Sequence, residues 1–257
     1  ALDLTLIENE GPKFDAAAVF TSNKVVAAPV IWSRQVAKGG TVRAAVINSG
    51  GANACTGPQG FADTHKTAEH VGHLLNVSAG EVIVCSTGLI GEFLPMEKIL
   101  TGLDAIAPGL SSDGLQTSAQ AIMTTDSVPK IATASINGLE FAGIAKGAGM
   151  LAPALATMLS VVMTDALVSE NVQEIFKRVT DRTYNRIDSD GCTSTNDTVL
   201  FMSSGASGVE ISDSDLEDML MQVCGSLSGQ LIADAEGSTK TVAIKVLNAV
   251  TESDAVE

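Results

Sequence analysis

One glycine-bearing stretch holds the residue types whose spacing could do chemistry. Lys146-Gly147-Ala148-Gly149-Met150 runs through Pro153 to Ala154-Leu155-Ala156-Thr157-Met158-Leu159. The apolar run Met158–Met163 reads as a strand, so the stretch delivers a threonine to a loop-to-strand junction with a cation behind it. A threonine hydroxyl is a poor nucleophile until a base stands beside it. Read structurally, the same residues are a loop entering a buried strand. A second candidate is Ser86-Thr87-Gly88, directly after the apolar run Val82–Cys85. A strand that ends in small hydroxyl residues and glycine can aim a hydroxyl or a backbone N–H at an oxyanion. It can equally be an ordinary strand exit.

Other segments offer weaker chemistry. Asn48-Ser49-Gly50-Gly51-Ala52-Asn53-Ala54-Cys55-Thr56-Gly57-Pro58 could present backbone N–H groups to an anion, or be a tight turn needing positive φ at several positions. It lacks the endings of a phosphate loop and of a dinucleotide site. His70 and His73 stand one helical turn apart but have no further ligand in a recognised metal motif, so they read as a helix face. Asp188-Ser189-Asp190-Gly191 departs from the calcium-loop register and reads as a solvated turn.

The elements that must position these residues are strands mixed with helices. Strands are expected at Asp3–Asn9, Ala16–Thr21, Val42–Ile47, Val82–Cys85, Ile131–Ile136, Leu139–Ile144, Met158–Met163, Thr198–Met202 and Val242–Val246. Asn137-Gly138 between two of them signals a hairpin. Helices are expected at Asp63–Leu75, Met96–Ile106, Gly114–Met123, from Asn171 with Ser169 as cap, and at Ser214–Ile232. The last carries an apolar stripe through Leu216, Leu220, Val223, Leu227 and Leu231, with Ser214 and Glu217 as a capping box. Hairpins without a repeating βαβ unit predict an α+β fold with mixed sheets.

With 257 residues, 45% hydrophobic and 18% charged, the chain has material for a large aliphatic core. Its net charge of −15 argues against nucleic acid as a partner. No apolar run reaches the roughly 18 residues that span a bilayer. The four cysteines form no CxxC pair and read as buried free thiols of a reducing, cytoplasmic protein.

Seven segments occur together in one order: Asn48–Gly57, Cys85–Gly91, Met123–Asp126, Lys146–Met150, Ala156–Leu159, Asp190-Gly191 with Ser194–Thr198, and Ala235–Lys240. This set resembles the ornithine acetyltransferase family, also called the arginine biosynthesis bifunctional or glutamate N-acetyltransferase family, across nearly the whole chain. The resemblance implies a layered α/β sandwich similar to the self-cleaving β-aminopeptidases. It implies autoproteolysis between Ala156 and Thr157, dividing the precursor into an α chain (1–156) and the N-terminal part of a β chain (157–257), further β-chain residues being absent here. It implies transfer of acetyl from N-acetylornithine to glutamate through an acetyl-Thr157 intermediate, in arginine biosynthesis, some members also using acetyl-CoA. By the same resemblance Thr87 and Gly88 form the oxyanion hole, and Thr124, Lys146, Thr157 and Glu236 bind substrate. Charge suggests Lys146 for a carboxylate and Glu236 for an amine. Thr125 has the same chemistry as Thr124, so the residues alone leave that choice open. No cofactor or metal is implied, and αβ pairs are expected to assemble into larger oligomers. Two other readings stand beside this one: a self-cleaving amidase or β-aminopeptidase of similar fold, and an inactive fragment.

Overall fold

The computed structural model describes residues 2–151 and 158–256. Its strands are β1 (Leu4–Glu8), β2 (Asp15–Phe20), β3 (Ala44–Asn48), β4 (Val82–Ser86), β5 (Lys130–Ile136), β6 (Leu139–Lys146), β7 (Leu159–Thr164) and β8 (Thr198–Ser203). Its helices are α1 (Ala28–Ala37), α2 (Gly57–Leu75), α3 (Met96–Ile106), α4 (Leu115–Ala121), α5 (Val172–Arg182), α6 (Asp213–Ala233) and α7 (Glu252–Val256). The strands form two sheets, one ordered β1-β3-β4 and one ordered β2-β8-β7-β6-β5. Both are mixed: β3–β4 and β7–β8 are parallel, the other pairs antiparallel. The α+β expectation therefore holds.

Side-chain alternation explains the layering. On β7 and β8, Val162, Val199 and Phe201 face the apolar sides of α5 and α6. Leu159, Val161, Leu200 and Met202 face the other way, meeting Ala45 and Ile47 of β3 and Ile83 and Cys85 of β4. The outer face of the smaller sheet (Val46, Val82, Val84) packs on Val71 of α2 and Leu103 of α3. With both sheet faces covered, these strands read as nearly continuous apolar runs. Each fully buried aliphatic side chain contributes about 1.5–3 kcal/mol.

The Asn137-Gly138 hairpin forms as expected, with φ of 52° and 81° at its two turn residues. Other expectations need correction. The α1 helix was not expected; Pro29 lies in its first turn, where a missing N–H costs nothing. The α6 cap is Ser212, not Ser214: its hydroxyl accepts from Asp215 N at 3.1 Å. Ser212→Ala should cost about 1 kcal/mol, read as a lower urea midpoint with an unchanged slope. Residues 242–246 form no strand; their apolar side chains are exposed and pair with neither sheet. Of the four free cysteines, Cys85 and Cys224 are buried, but Cys55 and Cys192 are exposed.

Candidate active site

The end of β4 builds the first wall. Thr87 N–H donates to Asn48 O at 3.0 Å, and Leu89 N–H donates to Gly50 O at 3.2 Å. These bonds lay Thr87 and Gly88 against the Asn48–Pro58 loop. Gly88 has φ +130°, and a Cβ there would stand 2.3 Å from the Gly50 carbonyl carbon. Only glycine fits that approach. The loop itself has positive φ at Gly50, Asn53, Cys55 and Gly57. It has the positive φ values that the tight-turn reading expects, and it backs Gly88.

Lys146 supplies the second wall. It ends β6 opposite Leu159 of β7, which in turn stands beside Thr198 of β8. Its side chain is 2% exposed. Nζ donates to Thr87 Oγ1 at 3.2 Å and to Thr124 Oγ1 at 2.8 Å. Burial pushes the Lys146 pKa below the ordinary lysine value, against the pull of Asp126. A hydroxyl that accepts from an ammonium becomes a better donor of its own proton. The Thr87 hydroxyl is therefore polarised as a donor. Thr124, not Thr125, carries the contact to Lys146 among the described residues.

Behind Lys146 lies a buried ionic chain that the sequence reading missed. Asp126 stands 3.8 Å from Lys146 Nζ and accepts from Lys130 Nζ at 2.6 Å, from Gly147 N–H at 2.6 Å and from Thr124 N–H at 3.1 Å. Lys130 is fully buried and also donates to Asp234 at 2.7 Å. Burial alone would raise the Asp126 pKa, but Lys146, Lys130 and the Gly147 amide hold it below the usual carboxylate range. Asp126 lies in a motif that the sequence had already singled out. Lys130 and Asp234, 104 residues apart, had no sequence signal linking them.

The sign of the Asp126 shift sets a pH dependence. Its stabilising effect is complete above the unfolded carboxyl pKa of about 3.9 and is lost as pH falls through the lower folded value. Asp126→Asn should cost about 3 kcal/mol at pH 7. The variant should also lose less stability than the wild type between pH 5 and pH 3. Urea midpoints at both pH values check this.

Glu236 follows α6. Its N–H donates to Ala148 O at 2.7 Å, and its Oε2 would lie 2.9 Å from a Cβ on Gly149. It adds a negative charge near Lys146. The structure thus brings Thr87, Gly88, Thr124, Lys146 and Glu236 to one end of the two sheets. Ala156 and Thr157 lie outside the described residues. Met158, next in the chain, is described: its N–H donates to Asp197 Oδ1 at 3.0 Å.

The Ser194–Thr198 segment closes the cleft. Asn196 Nδ2 donates to Ala52 O at 2.6 Å and to Ser86 O at 2.8 Å, fixing the peptide that precedes Thr87. A small cleft is lined by Ala52, Thr87, Gly88, Ile90, Met150, Ser194, Thr195 and Asn196. A far larger cavity, about 880 Å³, is lined by β1, α4 and the far ends of β6 and β7. It contains none of the candidate residues, whereas Thr87 and Gly88 line the small cleft. The histidines lie on α2, where His65 packs on Trp32 and His70 meets Asp104 at 2.8 Å. Among the described residues, no three His, Cys, Asp or Glu side chains are grouped to hold a metal. No described helix is long and apolar enough to cross a membrane.

A layered mixed-sheet fold that sets the Thr87 hydroxyl, next to Gly88, against a buried lysine carries the kind of donor that acyl transfer requires. A family model described as ArgJ family matches residues 1–257. The arginine biosynthesis bifunctional protein ArgJ of Streptomyces avermitilis is 54% identical over 256 residues, 99% of this chain and 67% of its own length. That of Mycobacterium tuberculosis is 51% identical over 265 positions, 100% of this chain and 66% of its own. The crystal structure of ornithine acetyltransferase from M. tuberculosis, complexed with ornithine, is 48% identical with a TM-score of 0.52. It covers 59% of this chain and 82% of the crystallised one. The chain belongs to the ArgJ family, acyltransferases of arginine biosynthesis. It spans about two thirds of the length of these curated relatives.

Proposed function

We propose that this chain is the acetyl-transferring part of a glutamate N-acetyltransferase. It moves acetyl from N-acetylornithine to glutamate through acetyl-Thr157, after autoproteolysis at Ala156–Thr157. The observation that carries this reading is the Lys146 ammonium bonded to the Thr87 hydroxyl beside Gly88. In the precursor the Thr157 hydroxyl attacks the Ala156 carbonyl, and water resolves the ester. The new α-amine has an ordinary pKa of about 7.7–8.0, so part of it is neutral near pH 7 and can take the proton of its own hydroxyl. Thr157 then accepts acetyl, ornithine leaves, and glutamate collects the acetyl group. The Thr87 hydroxyl and the Gly88 N–H stabilise the tetrahedral oxyanion. Thr124, Lys146 and Glu236 bind substrate, Glu236 facing its amine.

One finding among the comparisons supports this reading: the M. tuberculosis relative is crystallised with ornithine, the proposed leaving product.

The test is mass spectrometry of the full-length protein, followed by incubation with N-acetylornithine and labelled glutamate. Two fragments, one beginning at Thr157, and labelled N-acetylglutamate are expected. Free acetate without N-acetylglutamate would instead indicate an amidase. Acetyl-CoA is the second donor to test in the same assay. Gel filtration of the cut protein tests the expected assembly of αβ pairs into larger oligomers.

A further inference from the structure

Asn196 lines the small cleft, is 4% exposed, and uses both ends of its side-chain amide. Nδ2 donates to Ala52 O at 2.6 Å and to Ser86 O at 2.8 Å. Oδ1 accepts from Thr195 Oγ1 at 2.6 Å. That hydroxyl fixes which way the amide faces, and the two carbonyls, which can only accept, take the NH2 end.

The two carbonyls flank Gly88. Ser86 O belongs to the peptide whose nitrogen is that of Thr87, and Thr87 N–H donates to Asn48 O at 3.0 Å. Both polar ends of that peptide are therefore held. On the far side of Gly88, Leu89 O accepts from Ala52 N–H at 2.9 Å, and Leu89 N–H donates to Gly50 O at 3.2 Å. One amide thus bridges the strand end before Gly88 to the loop that takes up the chain after it. Among the described residues, the Gly88 N–H itself donates to no acceptor.

Asn196 reaches out from a rigid base. Its N–H donates to Ser194 Oγ at 3.1 Å, and Ser194 O accepts from Thr21 Oγ1 at 2.6 Å. Ala27 N–H donates to Thr195 O at 3.0 Å, and Thr21 N–H donates to Asp197 O at 3.0 Å. The segment is therefore tied to the end of β2 and the start of α1, and it runs directly into β8.

An oxyanion donor works by being aimed before the charge forms, so whatever holds its peptide acts on the barrier. We propose that Asn196 is the positioning residue of the oxyanion hole, its amide holding the Ser86–Thr87 peptide, and with it the Thr87 hydroxyl and the Gly88 N–H, in one place against the Ala52 loop. The inference rests on the reading of Thr87 and Gly88 as oxyanion donors and deepens it. Asn196 makes or breaks no covalent bond and gives up no proton. It lies after the proposed cut and both carbonyls lie before it, so the same amide joins the two chains at the hole.

The experiment uses the full-length protein as wild type, Thr87→Val, Asn196→Asp and the double variant, with kcat and KM for acetyl transfer counted per cut molecule. Aspartate keeps the shape of asparagine and puts oxygen where the NH2 stood. Asn196→Asp should lower kcat about tenfold, with KM changed less than about threefold. Thr87→Val should cost at least about threefold less in the Asn196→Asp background than in the wild type, because a hydroxyl no longer aimed has less to lose. Effects that simply multiply, as a purely structural Asn196 gives, would overturn this inference and leave the oxyanion reading standing. So would a loss confined to KM. Thr195→Val is the second variant, carrying the test should Asn196→Asp stay unfolded or uncut. It removes only the bond that orients Oδ1 and should lower kcat about threefold, again short of multiplying with Thr87→Val. Multiplying effects there overturn the inference as well. A Thr87→Val protein with wild-type kcat would overturn the oxyanion reading and this inference with it.

Discussion

Thr157→Ala in the full-length protein should remain a single uncut chain and lose acetyl transfer by at least about 10⁴-fold. On the proposed mechanism two functions fall together because one residue serves both. Without the hydroxyl there is nothing to attack the Ala156 carbonyl. Without that attack the backbone nitrogen of residue 157 stays an amide, which is no base. The variant thus removes the nucleophile and prevents its activator from forming. Intact-mass measurement checks the first effect, and N-acetylglutamate formation the second. The fold should survive, because Met158 keeps its bond to Asp197 and β7 keeps its pairing with β6 and β8. A protein that still divides at 156–157 would sink the proposed mechanism.

Thr87→Val should lower kcat by about 10²- to 10³-fold while KM changes little. Valine keeps the volume but removes the hydroxyl that the proposed mechanism aims at the oxyanion. It also removes one of the two hydroxyl acceptors of the Lys146 ammonium, whose side chain is 2% exposed. Some loss of stability, about 1–3 kcal/mol, should accompany the kinetic effect because Lys146 is left less satisfied. The split between kcat and KM separates the two causes. A transition-state donor acts on kcat, whereas a disturbed binding wall would appear in KM. Steady-state kinetics with N-acetylornithine, beside a urea titration, measures both. If self-cleavage passes through a similar tetrahedral oxyanion, the variant should also accumulate uncut precursor.

Much of the fold was legible because its signals are local. The Asn137-Gly138 pair marks a turn by its tolerance of positive φ, and the α6 stripe repeats at the helical period. Where local signals were degenerate, the reading slipped. Ser212 and Ser214 each precede an acidic residue by three positions, and only the geometry at Asp215 N–H selects Ser212. Residues 242–246 have the apolar content of a strand, yet a strand needs a neighbour's N–H and C=O groups, and here they find none. The α1 helix is masked in sequence by Pro29, which suits a helix only in its first turn.

The candidate site divides along the same line. Thr87, Gly88, Thr124, Lys146, Thr157 and Glu236 were named through the family resemblance that the ordered motifs carry, since residue chemistry alone left Thr124 and Thr125 equivalent. Sequence alone thus determined the family, the class of chemistry and the alternation that builds two sheets. Only the tertiary structure decided that Lys146 meets Thr87 across 59 positions, that Thr124 is the threonine in contact, and that Asp126, Lys130 and Asp234 form the buried support behind them. It alone set the buried Asp197 carboxyl on the Met158 N–H at the start of β7. The physical reason is that a buried charge is tolerable only with a partner at hydrogen-bond distance, and such a partner can come from any element the packing brings near.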